Sequence, residues 1–212
     1  MPRVRTATIA ITAMMMALTF IMFTTAWGTI PLPIISVTIA ILPSIVTAMA
    51  IGLAPGIIVG TAAGLSSLYN ALVNPVTLLS PFIQNPLVSV LPRMLVPVAA
   101  YFVFKGLYLF FTKVLHIGHF TAISFAAVFG AAAASLTNTA GVLGMLYIIY
   151  AYPITALIDT TAAVMIWGIV ASNALPEVIV NGALGTMITV ALFRAKLASP
   201  IKKKGAGASR GA

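Results

Sequence analysis

Residues 7–24 read ATIAITAMMMALTFIMFT, an apolar stretch without a charged side chain. A helix that crosses a bilayer needs about 20 mainly apolar residues, so this stretch predicts a membrane-spanning helix. Arg3 and Arg5 precede it, and Trp27, a residue type common at membrane interfaces, follows it. The apolar run is longer than the core of a secretory signal and no clear cleavage site follows, so we expect the segment to be retained.

The composition of the whole chain also indicates a membrane protein. Of its 212 residues 61% are hydrophobic and only 6% are charged, whereas a soluble domain is about a quarter charged. A soluble enzyme and a disordered protein are therefore excluded, and the absence of cysteine excludes disulfides. The net charge of +9 is not a nucleic-acid signal, because only Arg93, Lys105 and Lys113 of the eleven basic residues lie away from the termini. Basic ends on an apolar chain are typical of a membrane protein.

Six spans are predicted, and they make this an all-α integral membrane protein. After 7–24 the apolar segments are 34–51, 57–72, 87–111, 122–147 and 178–193, and GLAPG at 52–56 predicts a tight reversal between the second and third. An even number of spans places both basic termini and the connector 105–119 on one side of the membrane. Because cytoplasmic loops carry an excess of Lys and Arg (the positive-inside rule), we expect that side to be cytoplasmic (N-in/C-in). We expect one membrane domain over 1–196 and a disordered basic tail over 197–212.

The apolar segment 153–172 leaves the count open. A seventh span there would move the C-terminus to the other side of the membrane. Because the segment contains Asp159 and is followed by NALPE at 173–177, we interpret it as an extra surface helix between the fifth and sixth spans. Asp159 and Glu177, the only acids, then fall in outer loops.

Arg93 is the most informative polar residue, because it lies about two turns inside the fourth predicted span. A charged side chain at the bilayer centre costs about 2.5–3.5 kcal/mol on insertion scales, so it should face the bundle interior. Two interpretations remain open. Arg93 either forms a structural ion pair with Glu177 or Asp159, or contacts an anionic substrate.

Amide side chains supply the other candidates. Asn138 lies inside the fifth span, and Asn74, Gln84 and Asn85 lie in the Pro-rich loop before the fourth. An amide in hydrocarbon needs a partner, either on a neighbouring helix or on a ligand, and both remain open for Asn138. The loop amides either line a vestibule or belong to ordinary Asn-Pro turns.

Motifs of catalysis are missing from the sequence. The nucleophile elbow, the zinc-protease helix and the phosphate-binding P-loop are all absent, so we expect no enzyme and no catalytic residue. His116 and His119 have no third ligand nearby, so we expect neither a metal site nor a cofactor. An active transporter with this sequence would need a partner that supplies its energy.

A series of short motifs runs along the chain in a fixed order. They are an alanine-rich first helix, IPLP at 30–33, GLAPGIIVG at 52–60, GLSSL at 64–68, SPF at 80–82, LPR at 91–93, LTNT at 136–139, and Asn173 followed by PE at 176–177. The series resembles the substrate-binding S components of energy-coupling factor (ECF) transporters over roughly residues 5–195.

The resemblance implies a six-helix subunit of the cell membrane that captures a vitamin or related micronutrient from outside. Such subunits deliver it through a transmembrane coupling subunit and two cytoplasmic ATPases. Ala13 and Ala17 match the family's alanine motif for docking the coupling subunit, and their spacing alone allows close helix approach. The regions that form the family's pocket here supply Trp27, Asn74, Gln84, Asn85, Arg93 and Asn138.

The substrate is less defined than the class. Residues 66–93 look most like the pantothenate-type and uncharacterised branches. A buried arginine suits a vitamin that bears a carboxylate, such as pantothenate, folate or biotin. Two other classes remain open: a self-contained secondary carrier or channel for a small solute, and a non-transporting membrane scaffold.

Overall fold

The computed structural model describes residues 6–25, 28–30, 37–75, 79–158, 164, 167–168, 170–195 and 197. Within these ranges the regular secondary structure is helical except for one short strand pair. The helices are α1 Thr6–Thr24, α2 Leu42–Ala50, α3 Leu53–Val73, α4 Ser80–Ile83, α5 Pro86–Ser89, α6 Leu91–Lys113, α7 His119–Ile158 and α8 Leu175–Arg194, with a π-helical turn at Val170–Ala174 before α8.

Five helical segments in the described chain are long and apolar enough to cross a membrane. They are Thr6–Thr24, Leu53–Val73, Pro86–Lys113, His119–Tyr152 and Leu175–Arg194. Each contains most of one predicted span, so the prediction of a multi-pass helical membrane protein is confirmed at this level.

The second predicted span, 34–51, has a different structure. Its described part contains strand β2 (Val37–Thr38), which pairs antiparallel with β1 (Thr29–Ile30), and then the nine-residue helix α2. Nine residues of helix measure about 14 Å, less than half of the roughly 30 Å bilayer core. All nine are buried inside the protein. The hydropathy of this segment therefore reflects burial against other helices. The all-α fold class is confirmed for the described residues, because the strand pair has only two residues in each strand.

The reversal after α2 occurs where the glycine pattern predicts it. Gly52 has a φ of 137°, a conformation that L side chains rarely adopt, and its N–H donates to the Thr47 carbonyl over 3.1 Å. The turn is tighter than predicted, because α3 already begins at Leu53.

A stripe of three glycines, Gly56, Gly60 and Gly64, lets α3 pack closely against its neighbours. A Cβ added at Gly56 would lie 2.7 Å from the Ala48 Cβ on α2. At Gly60 it would lie 2.6 Å from the Arg93 carbonyl oxygen on α6. At Gly64 the nearest atom would be the Val90 Cα, also 2.6 Å away. Small residues four apart are typical of tight packing between membrane helices.

Contacts between helices define the direction of each one. Gly141 faces Pro92 and Gly130 faces Ala100, so α6 and α7 run antiparallel. Helices α7 and α8 are also antiparallel, because Asn138 and Thr139 contact Glu177 while Gly185 faces Ala131. Helix α3 is antiparallel to α6 through its glycine stripe, and the Phe20 and Tyr69 rings, 6.1 Å apart, place the C-terminal ends of α1 and α3 together.

These directions give the bundle two distinct ends. The first, here called the Arg93 end, holds the start of α6, the start of α8 and the C-terminal ends of α1 and α3. The second, the Lys113 end, holds the start of α1 and the end of α8. Arg194 lies there with its guanidinium 5.7 Å from the centre of the Phe120 ring.

The predicted connector 105–119 is wrong in length. Helix α6 continues through Lys113, so the connector covers only 114–118. Lys105 lies within the helix, where its Nζ donates to the Tyr101 hydroxyl over 3.2 Å.

The segment 153–172 is described only in part. Helix α7 continues to Ile158 and bends at Tyr150 (φ −127°, ψ 16°), because Pro153 has no N–H to donate to the Ile149 carbonyl. Residues 159–163, which include Asp159, 165–166, 169 and the tail from 198 onward lie outside the described residues.

Replacing Gly60 with Ala is expected to destabilise the bundle by about 1–3 kcal/mol, since the new Cβ meets backbone rather than a movable side chain. The measurement is the unfolding free energy of the detergent-purified protein. Gly106→Ala is the control: a Cβ there meets nothing within 4 Å, and alanine favours a helix over glycine by up to about 1 kcal/mol. Equal stability of the two variants would contradict tight α3–α6 packing.

Candidate functional site

Helix α8 carries a polar stripe into the interior of the bundle. Asn173, Glu177 and Asn181 are spaced four residues apart, which places them on one helical face. Their exposed fractions are 4%, 4% and 0%. The stripe begins in the π-helical turn Val170–Ala174, a form of helix that is frequent at functional sites.

Helix α7 presents a matching polar face to this stripe. The Asn138 Nδ2 donates to Glu177 Oε1 over 2.9 Å, and the Thr139 hydroxyl donates to Glu177 Oε2 over 3.0 Å. One turn away, the Asn181 Nδ2 donates to the Ser135 Oγ over 3.1 Å. The carboxylate of Glu177 therefore has a neutral hydrogen-bond donor at each oxygen.

Arg93 completes the site from α6. Its side chain is 5% exposed, and Nη1 donates to the carbonyl oxygens of Val88 and Ser89 over 3.2 and 3.1 Å. The guanidinium and the Glu177 carboxylate attract each other electrostatically, although no direct ion pair joins these two described residues. We call Arg93, Ser135, Asn138, Thr139, Asn173, Glu177 and Asn181 the polar cluster.

The expectation that Glu177 lies in an outer loop is wrong. Glu177 is buried in the first turn of α8, because α8 begins at Leu175 with Pro176 in its first turn. A carboxylate in the first turn also interacts favourably with the positive end of the helix dipole. Glu177 is therefore an electrostatic partner of Arg93, in agreement with the structural interpretation of Arg93, although the two side chains form no direct ion pair.

Four buried atoms of the polar cluster have no hydrogen-bond partner in the described chain. They are the Arg93 Nε and the Oδ1 atoms of Asn138, Asn173 and Asn181. A buried polar group without a partner costs about 1–3 kcal/mol, and native structures contain few of them. Four such atoms, on α6, α7, the π-helical turn and α8, are suited to the binding of a polar small molecule.

The loop amides have other partners. The Gln84 Nε2 donates to the Ala71 carbonyl over 3.2 Å, which connects α4 to α3. The Asn85 side chain caps α5 by accepting from the Leu87 N–H, and its Nδ2 donates to the Tyr150 hydroxyl over 3.1 Å. Asn74 is exposed and bonds weakly to Asn70 over 3.4 Å. Trp27 lies outside the described residues.

An apolar cluster lies beside Arg93 at the same end of the bundle. Its buried members are Leu79, Val88, Val142, Leu143 and Leu146, and Phe82 and Tyr150 pack against it. The Phe82 and Tyr150 rings are 5.1 Å apart. Because Val88 also accepts from Arg93, the site combines an apolar wall with a few placed polar groups, as small-molecule sites generally do.

Ala13 and Ala17 lie on the outer surface of the bundle. Both are exposed, whereas the buried residues of α1 are Thr12, Thr19 and Phe23. Helix α1 packs against α2 and α3 with that buried face. The pair of small residues therefore faces away from the helices that the structure describes.

Sequence reasoning found Arg93 and Asn138 but missed most of their neighbours. Ser135, Thr139 and Asn181 are not among the predicted site residues, and Glu177 enters the sequence analysis only as a possible partner of Arg93 and as part of the motif series. The available signal was the four-residue spacing of Asn173, Glu177 and Asn181 in an otherwise apolar segment.

Apolar helices around a buried polar cluster define a multi-pass membrane protein. The family model for the substrate-specific component of ECF transporters matches residues 7–190. The chain therefore belongs to this family of substrate-binding transporter subunits, and its role lies in membrane transport. A comparison with curated proteins finds no match.

Arg93 and Glu177 are expected to stabilise each other. In a double-mutant cycle with Arg93→Met and Glu177→Gln, the two effects on unfolding free energy should differ from additivity by about 0.5–3 kcal/mol, because each single variant leaves one buried charge uncompensated. The measurement is denaturant unfolding of the four purified proteins. Additivity within about 0.3–0.5 kcal/mol would show that the two charges do not interact.

Proposed function

We propose that this protein is the substrate-capture subunit of an ATP-driven ECF importer in the cell membrane. It binds a vitamin or related micronutrient from outside, at the polar cluster. The observation that carries the proposal is the set of unpartnered buried atoms in that cluster, within a chain of the substrate-specific family. A transmembrane coupling subunit and two cytoplasmic ATPases supply the energy that this chain has no motif to provide.

The proposed topology has six crossings with both termini in the cytoplasm. Support comes from the start of α1 and the end of α8, which lie at the same end of the bundle. An even number of crossings is needed to bring them there, so the segment with β1, β2 and α2 adds a sixth crossing to the five long helices. Lys113 and Arg194 are exposed at that same end, in agreement with the positive-inside rule for a cytoplasmic face. A reporter joined after Lys204 is expected to register as cytoplasmic.

The proposed role of Arg93 is to hold an anionic group of the substrate. Both of its protein hydrogen bonds come from Nη1, which leaves the edge that contains Nε without a partner. Guanidinium edges bind carboxylates through two parallel charge-assisted hydrogen bonds. A carboxylate-bearing vitamin follows, with pantothenate as the first candidate, ahead of biotin and folate.

The proposed docking surface for the coupling subunit is the exposed stripe of Ala13 and Ala17. Its orientation away from α2 and α3 supports this role, because a partner helix can reach it without displacing any helix of the bundle. Two small side chains one turn apart allow close backbone approach, which is the main source of helix association in lipid.

Arg93→Ala is expected to weaken substrate binding at least about tenfold, because removing one partner of a desolvated charge pair costs about 2–5 kcal/mol. Arg93→Lys keeps the charge but loses the planar fork, so it should restore only part of the affinity. The measurement is calorimetric titration of the purified variants with pantothenate, biotin and folate. A folded Arg93→Ala protein with unchanged affinity would contradict the proposed role.

Leucine at both Ala13 and Ala17 is expected to abolish ATP-driven uptake while leaving binding by the isolated subunit intact, since added bulk blocks helix approach. Uptake is measured in cells that carry the coupling subunit and both ATPases. Ala140→Leu, at an exposed alanine of α7, is the control and should leave uptake unchanged. Uptake that persists without the ATPases would instead favour the self-contained carrier or channel.

A further inference from the structure

We infer that the substrate carries at least two neutral N–H or O–H donors in addition to its anionic group. The inference rests on the proposed function and extends it, because it concerns the polar atoms of the cluster other than the Arg93 guanidinium. The relevant atoms are the amide oxygens of Asn138, Asn173 and Asn181.

Hydrogen bonding determines the orientation of the Asn138 amide. Its partner, the Glu177 carboxylate, accepts hydrogen bonds when ionised and has none to donate. In the structure the NH₂ group points to Glu177, as an ionised carboxylate requires, and the Oδ1 atom points elsewhere. That oxygen is buried and has no partner, so what it lacks is a donor.

Asn181 is oriented in the same way. Its Nδ2 lies 3.4 Å from the Thr38 carbonyl oxygen, which accepts only, and 3.1 Å from the Ser135 Oγ. The Asn181 Oδ1 is left as a second buried acceptor without a donor, and the Asn173 Oδ1 is a third. Asn138 lies on α7, Asn173 in the π-helical turn before α8, and Asn181 on α8.

The two sides of the cluster thus have opposite requirements. The Arg93 Nε on α6 is a donor that lacks an acceptor, whereas the three amide oxygens are acceptors that lack donors. One molecule meets both requirements if an anionic group binds at Arg93 and hydroxyl, amide or ring N–H groups bind at the amides.

The donors need not be cationic. Both oxygens of Glu177 already accept hydrogen bonds, from Asn138 and Thr139, and its charge is opposed at long range by Arg93. A neutral donor therefore satisfies the amide oxygens without adding a buried charge. The substrate class is a small acid rich in hydroxyl or amide groups, as distinct from a fatty acid or an organic cation.

Sites built from buried hydrogen-bonding groups reject analogues that lack the matching group, because the site's own polar atoms then stay unpaired. An acid without donors should therefore bind at least about tenfold more weakly than an acid of similar size with donors. The same factor is expected when the anion is removed and the donors are kept.

The test uses the full chain purified in detergent, with calorimetric titration as the readout. The probes are pantothenate and biotin, which carry a carboxylate and neutral donors, their primary-alcohol analogues, which lack the carboxylate, and octanoate, which lacks the donors. In parallel, native mass spectrometry identifies any small molecule that stays bound during purification.

The expected result is that one of the two acids binds, or that the retained molecule is an acid with at least two neutral donors, while octanoate and the alcohol bind at least about tenfold more weakly. Octanoate binding as tightly as the better acid overturns the inference. So does a retained molecule without donors, or a protein that retains nothing and binds neither acid.

Asn138→Leu removes the amide at similar volume and should lower the affinity for the acid that binds the wild type by about tenfold, with octanoate affinity unchanged. Thr137→Val is the matched control, because Thr137 bonds only to its own helix at Ala133. Since loss of Asn138 also removes a donor to Glu177, Asn173→Leu is the second variant. Unchanged affinity in the folded variants contradicts the inference.

Failure of the inference is distinguishable from failure of the proposed function. A retained molecule without donors that is still imported in an ATPase-dependent manner contradicts only the inference. Import that does not require the coupling subunit and ATPases contradicts the proposed function, whatever the chemistry of the bound molecule.

Discussion

The burial of Glu177 between α7 and α8 is the constraint on which the rest of the site depends. An ionised carboxylate in an apolar bundle is costly unless several donors surround it. Asn138 and Thr139 provide those donors, and in doing so they fix the relative position of the two helices. The next turn of each helix then places Asn181 beside Ser135. One buried charge thereby orders a whole polar interface.

Arg93 reaches this interface because α3 and α6 pack closely. Gly60 lies against the Arg93 carbonyl, and Pro97, one turn later, has no N–H with which to bond that oxygen. A larger residue at position 60 would push the two backbones apart and displace the start of α6, which carries Arg93. The glycine stripe thus acts on the site although none of its members belongs to the polar cluster.

Composition and charge were sufficient to predict the class of protein and five of its membrane helices. At 34–51 they predicted one continuous helix, whereas the described residues there form a short strand and the nine-residue helix α2. An apolar sequence looks the same whether lipid or protein covers it, and α2 is covered entirely by protein. They also misplaced Glu177, because a single acid next to a proline is typical of a loop. The hydrogen-bond donors that allow it to be buried lie on a different helix. The partners Asn138 and Thr139 are 39 and 38 residues away in sequence, a separation that periodicity within one helix does not reveal.

Helix α1 contributes only three buried residues, and the polar cluster shares no hydrogen bond with it among the described residues. Substitutions on its outer face and substitutions in the cluster are therefore expected to have additive energetic effects. Such independence matters for evolution. In the proposed function, the cluster can be altered for a new cargo without altering the outer face of α1, and that face can be retained across subunits of different specificity.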